Sequence, residues 1–93
     1  MLTDDELIML LDMFIKKMKK ALPKLLNAIK RKDYEKIALN AHSIKGSSGN
    51  FRIESLQNNA SEMETMAKAK NEEYDYAQTY EKIKSRVLEI KIL

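Results

Sequence analysis

The chain has no cysteine. That excludes disulfides and thiolate metal sites, and it suits a reducing compartment. It has no tryptophan, and no aromatic residue is interleaved with its densest lysine cluster, so a base-stacking surface for nucleic acid lacks its platform. It has a single proline, Pro23, and two glycines, Gly46 and Gly49. Helices therefore meet few breakers. No apolar run approaches a membrane span. Met1 and Leu2 lead straight into acidic residues, so no secretory leader is read, and a cytoplasmic protein is expected. There is one histidine, His42. A serine or cysteine nucleophile would find no second histidine as its base, and His42 has no ligand cluster for a metal.

What is present points one way. Ninety-three residues predict one domain, 1–93, with a modest core. Ala, Leu, Met, Lys and Glu dominate, and all favour helix. The expectation is a small, soluble, all-α domain, monomeric by default. The net charge is +3, and the basic excess lies in the first third, where Lys16, Lys17, Lys19, Lys20 and Lys24 cluster. This run is read as a solvated helix face, with a nucleic-acid patch as the weaker alternative. The six methionines are read as core fillers rather than a partner groove.

The apolar spacing sets the elements. Thr3 to Glu6 has the capping-box pattern. Leu7, Leu11, Phe14, Met18, Leu22, Leu25 and Ile29 then recur every three or four residues. Pro23 predicts a break near Lys20 to Leu22, giving two consecutive helices on one core face. Asp33 is a candidate N-cap for the next helix, whose inner face is Tyr34, Ile37, Ala38, Ala41, Ile44 and Ser48, and which exits at Gly49-Asn50. Ile53, Leu56, Ala60, Met63 and Ala67 form the following stripe, Asn71 is a candidate cap, and Tyr76, Tyr80, Ile83, Val87 and Ile90 form the last. Short connections imply antiparallel neighbours. The predicted fold is an antiparallel up-and-down four-helix bundle with an additional N-terminal helix.

One strip of the His-bearing helix is unusual. Glu35, Leu39, His42, Gly46 and Gly49 are spaced 4, 3, 4 and 3, so they share a face about 100° from the buried stripe. Glycine inside a helix costs roughly 1 kcal/mol against alanine. Gly46 stands one turn after His42, where a side chain would shadow the imidazole. Lys45 is three residues from His42 and can reach the same surface. Ser43, Ser47 and Ser48 add hydroxyls. Neutral imidazole is a competent nucleophile, and beside a cation it can receive a phosphoryl group. The chain lacks a Gly-rich phosphate loop, a Walker lysine and an evident magnesium carboxylate cluster, so it is not read as an autonomous kinase.

The run AHSIKGSSGNF resembles the signature of histidine-containing phosphotransfer (HPt) domains, A-H-x-[LI]-K-G-[SA]-[SA]-x-N-[LF]. Ala41, His42, Ile44, Lys45, Gly46, Ser47, Ser48, Asn50 and Phe51 match it, and the helix order around it fits over essentially the whole chain. The resemblance implies a four-helix bundle with an added N-terminal helix, and a phosphorelay intermediate rather than an enzyme. It implies that His42 accepts a phosphoryl group from a receiver-domain aspartyl phosphate and passes it to another receiver. Lys45 would support the group, and Gly46 would clear the docking surface. Magnesium is expected on the partner receiver, with no cofactor in this chain. Partners would be response-regulator receivers or a hybrid sensor histidine kinase. Leu39 and its neighbours on the strip, Gly46 and Gly49, are read from the wheel as the partner-binding face. Two other readings remain open: a helical interaction module without phosphotransfer, and a basic nucleic-acid-binding bundle. One departure stands out. Where many members carry a glycine that ends the His helix, this chain has Arg52, so Gly49 or Asn50 is expected to make the turn, or the turn differs.

Overall fold

Residues 3–90 are described by the computed structural model. Among them are four helices and no strand: α1 Asp4–Lys30, α2 Tyr34–Asn50, α3 Glu54–Lys68 and α4 Tyr76–Glu89. Met1 and Leu2, on which the reading about a leader rests, lie outside the described residues. The capping box at the start of α1 is formed. The Thr3 hydroxyl accepts from the Glu6 N–H at 3.1 Å, and the Glu6 carboxylate accepts from the Thr3 N–H at 3.4 Å.

The break expected near Lys20 to Leu22 does not occur. α1 passes through Pro23 as one helix of 27 residues, so the described residues form four helices with no separate N-terminal one. Proline removes one N–H, which leaves the Lys19 carbonyl without its helical donor. Lys19, Lys20 and Pro23 are all exposed, so water can serve that carbonyl. On the opposite side Met18, Leu22 and Leu25 are buried. Proline costs about 3 kcal/mol in a helix interior, and burying each of those side chains contributes about 1.5–3 kcal/mol. The core holds the helix together across the defect.

α2 packs on α1 and α3, and α4 packs on α3 and closes back on α1. The first two connections are three residues each, which forces the antiparallel order. Met18, Leu25, Ile37, Ile44, Leu56, Met63 and Ile83 are fully buried at the centre. Phe14 meets Phe51 at 5.1 Å between ring centroids and locks the end of α2 onto α1. The inner faces read from spacing in α2, α3 and α4 are the buried ones, except that Tyr34, Ile53 and Ile90 at their ends are half-buried, the last two as cap residues. The α1 stripe is buried only from Phe14 onward. Leu7 is exposed and Leu11 half-buried, because a helix of about 40 Å outreaches partners of 14–17 residues. Met18 and Met63 are core fillers, while Met9 and Met13 are not.

Three helices end in the same way. Lys32, Arg52 and Lys70 have φ of 54°, 55° and 52°. At each, the N–H of that residue and of the next reach back to carbonyls of the last turn: Lys32 to Ile29 and Asp33 to Ala28, Arg52 to Gly49 and Ile53 to Ser48, Lys70 to Ala67 and Asn71 to Met66. These are Schellman ends with a basic residue where glycine is usual. So Arg52 itself makes the left-handed turn, and neither Gly49 nor Asn50 does. Asp33 caps α2 by accepting from the Lys36 N–H at 3.2 Å. Asn71 caps no helix. It lies in the α3–α4 loop, where its side chain accepts from the Glu73 N–H at 2.9 Å, and Asp75 caps α4.

Candidate functional site

His42 sits midway along α2, on the flank of the buried face, with its side chain 64% exposed. Leu39, one turn earlier, is 69% exposed. Gly46, one turn later, is exposed, and a Cβ built there would meet nothing within 4 Å. Packing therefore does not demand glycine at 46. Gly49 differs. It is half-buried, and a Cβ there would lie 3.2 Å from the Gln57 amide nitrogen on α3. Leu39, His42 and Gly46 thus share an open surface, while Gly49 faces α3.

The serines divide. Ser43 is exposed, but Ser47 is buried and its hydroxyl accepts from Lys17 Nζ at 2.7 Å. Ser48 is fully buried, with no partner for its hydroxyl. Two of the three hydroxyls offered by the sequence are thereby withdrawn from the surface. Lys17 is also withdrawn from the lysine cluster, tying α1 to α2.

The residue that organises the site is Glu64, from α3. Its side chain is only 5% exposed. His42 Nδ1 lies 2.9 Å from its Oε2, Lys68 Nζ 3.0 Å from the same oxygen, and Lys45 Nζ 2.9 Å from Oε1. Burial alone would raise the Glu64 pKa. The hydrogen bonds from Lys45, Lys68 and His42 outweigh it and hold the carboxyl at about 2, below its ordinary 4.5. The carboxylate is therefore ionised at any ordinary pH and can only accept. His42 Nδ1 must be the donor. That assigns the tautomer of the neutral ring: Nδ1 carries the proton and Nε2 keeps its lone pair.

Spacing analysis of α2 missed Glu64 because it belongs to another helix. A signal was available. Glu64 stands four residues after Ala60 and three before Ala67, inside the α3 stripe, and a carboxylate at a core-facing position needs partners. Lys45, read as a support for an anion on the imidazole, is docked on Glu64 in this state, one residue's reach from the ring. Beside His42 an open groove of about 1000 Å³ runs between α2 and the end of α3, with Leu39 in its wall and Lys32, Lys36, Lys68 and Lys70 around it. Among the described residues no group of three or more His, Cys, Asp or Glu could hold a metal ion, and no helix is long and apolar enough to cross a membrane.

An exposed imidazole with one nitrogen fixed by a buried carboxylate, flanked by ammonium groups on a four-helix bundle, suits a histidine that carries an anionic group. The Hpt domain family model matches residues 9–90, nearly the whole chain. No curated protein and no solved structure matches it. The chain belongs to the Hpt domain family, the histidine phosphotransfer modules of two-component phosphorelay signalling.

Proposed function

We propose that this protein is a phosphorelay intermediate and that His42 is its phosphoacceptor. The observation that carries the reading is the His42–Glu64 hydrogen bond, which leaves Nε2 unprotonated at an exposed position. In the forward step the Nε2 lone pair attacks the phosphorus of an aspartyl phosphate on a partner receiver. The P–O bond to the aspartate breaks, and that carboxylate leaves with the electron pair. The imidazole becomes a phosphorylated cation that keeps its proton on Nδ1, opposite the Glu64 carboxylate. The reverse step delivers the group to a second receiver.

Lys45 supports the phosphoryl oxygens by turning from Glu64 toward the ring. A point charge on a flexible stem can make that exchange. Gly46 leaves the space beyond the ring free for the partner's backbone. Leu39 supplies the apolar contact, and Gly49 marks the far edge of the docking face, where α2 is held against α3. Magnesium and most of the transition-state groups belong to the receiver. This chain positions one nucleophile and does not act as a kinase.

The test is transfer of label from a phosphorylated receiver to the purified protein, followed as acid-labile, base-stable phosphate. Transfer is expected to the unsubstituted protein and not to His42→Gln. Equal labelling of both proteins would overturn the assignment of His42.

A further inference from the structure

Beyond its acidic first turn, α1 carries a run of apolar residues near its free end. Leu7, Ile8, Met9 and Leu10 are consecutive and all reach solvent, Met9 most of all. Short isolated helical segments are marginal in water, and an exposed contiguous apolar patch marks a contact surface. On the side turned away from the bundle, Met9 and Met13 stand one turn apart, 60% and 59% exposed. Glu6 precedes Met9 by three residues, and Lys16 follows Met13 by three.

The order Glu6, Met9, Met13, Lys16 is spaced 3, 4 and 3, and it is self-complementary about Leu11. When a second α1 is laid antiparallel across it, Met9 meets Met13 of the second copy and Glu6 meets Lys16 of the second copy. Both contacts occur twice. This is the pattern an isologous two-fold interface requires. Opposite charge at the two ends favours the antiparallel register, and a parallel one would set Glu6 against Glu6 and Lys16 against Lys16.

We propose that this face of α1 binds a second copy of the chain, forming an antiparallel α1–α1 dimer. Lys16 already holds Asp12 at 2.9 Å within its own helix, and the Glu6 carboxylate already accepts from Thr3 in the capping box, but both contacts reach solvent, so sharing or exchanging partners costs little. Two methionines and two charged side chains per copy make a small contact beside the roughly 1,200–2,000 Å² of stable interfaces, so the dimer is weak and reversible. None of the residues lining the His42 groove comes from α1, and pairing leaves that groove open on both copies.

Sedimentation of the whole protein tests the association, and engineered cysteines test the register. The weight-average mass is expected to rise toward two copies as concentration approaches roughly 1 mM, a dissociation constant typical of weak contacts. Lys16→Glu should weaken the association by about tenfold or more at low salt. The chain has no cysteine of its own. When Met9→Cys and Met13→Cys proteins are mixed and oxidised gently, the mixed 9–13 disulfide should exceed the statistical share. A monomer throughout the range would overturn the proposal. So would an excess of 9–9 and 13–13 disulfides, or contacts at Met9 and Met13 that arise only on adding a receiver.

Discussion

Because Glu64 is ionised and can only accept, a single hydrogen bond decides which imidazole nitrogen is free. Glu64→Gln removes the charge but keeps the shape. Its side-chain amide can also donate, so the ring is no longer held in one tautomer. Ring ¹⁵N spectra are expected to show Nδ1–H alone in the unsubstituted protein and both tautomers in Glu64→Gln. Transfer should slow by about tenfold, the factor that 1.36 kcal/mol of barrier represents. Retention of one tautomer together with an unchanged rate would remove Glu64 as a positioning residue. The same carboxyl sets an acid limit. Its folded pKa, about 2, lies below its ordinary 4.5. It therefore contributes stability fully above pH 4.5 and loses it as pH falls toward 2. Acid unfolding measured over that window should be shallower in Glu64→Gln, which starts about 2 kcal/mol less stable. Gly46 separates access from packing, since a Cβ there meets nothing. Gly46→Ala should raise stability by about 1 kcal/mol, whereas Gly46→Lys should stay helical and slow transfer from a receiver. An unchanged rate for the lysine variant would mean that the turn after His42 does not face the partner.

At the scale of the element, α1 and the three left-handed ends show where local rules yield. Proline is expected to stop a helix, and here the helix continues because the defect faces water while Met18, Leu22 and Leu25 are held inside. Pro23→Ala should therefore stabilise the fold by up to about 3 kcal/mol. Its melting temperature should rise by several degrees per kcal/mol, about 4–8 °C for a domain of this size. A fall in melting temperature would mean that the proline serves α1 in a way its exposure conceals. Arg52 holds φ at 55°, a conformation that costs a non-glycine residue about 1–2 kcal/mol. Arg52→Gly relieves that strain and should be neutral to stabilising by denaturant titration, although it frees the unfolded chain.

For the whole molecule, the core and the overhang respond differently. Met63 is fully buried between helices, and Met63→Ala should cost about 2–5 kcal/mol. Against a total of about 5–15 kcal/mol for a domain, that is a large share. Leu7 belongs to the same periodic series as the buried Leu22 and Leu25, yet it lies beyond the reach of the other helices. Leu7→Ala should change stability by less than about 0.5 kcal/mol, as exposed substitutions do. Chemical denaturation of the two variants side by side checks the contrast, and a Leu7→Ala loss as large as that of Met63→Ala would place the end of α1 in the core.

Much was legible in one dimension because helix periodicity is a local property. The inner faces of α2, α3 and α4, the Thr3 and Asp33 caps, and the strip bearing Leu39, His42 and Gly46 all follow from spacings of three and four. Composition alone pointed to an all-helical chain, and the run from Ala41 to Phe51 to its family. Decisions that depend on what stands opposite a residue were not legible. Pro23 is tolerated because solvent, not core, lies on its side. Arg52 turns left-handed where the Ile53 N–H folds back onto the Ser48 carbonyl to close α2. Ser47 and Ser48 are turned inward by α1 and the core, and Leu7 is left outside because no other helix is long enough to cover it. Which nitrogen of His42 stays free, the one proposed to take the phosphoryl group, is chosen by a carboxylate 22 residues away, a hydrogen bond between helices that only packing could form.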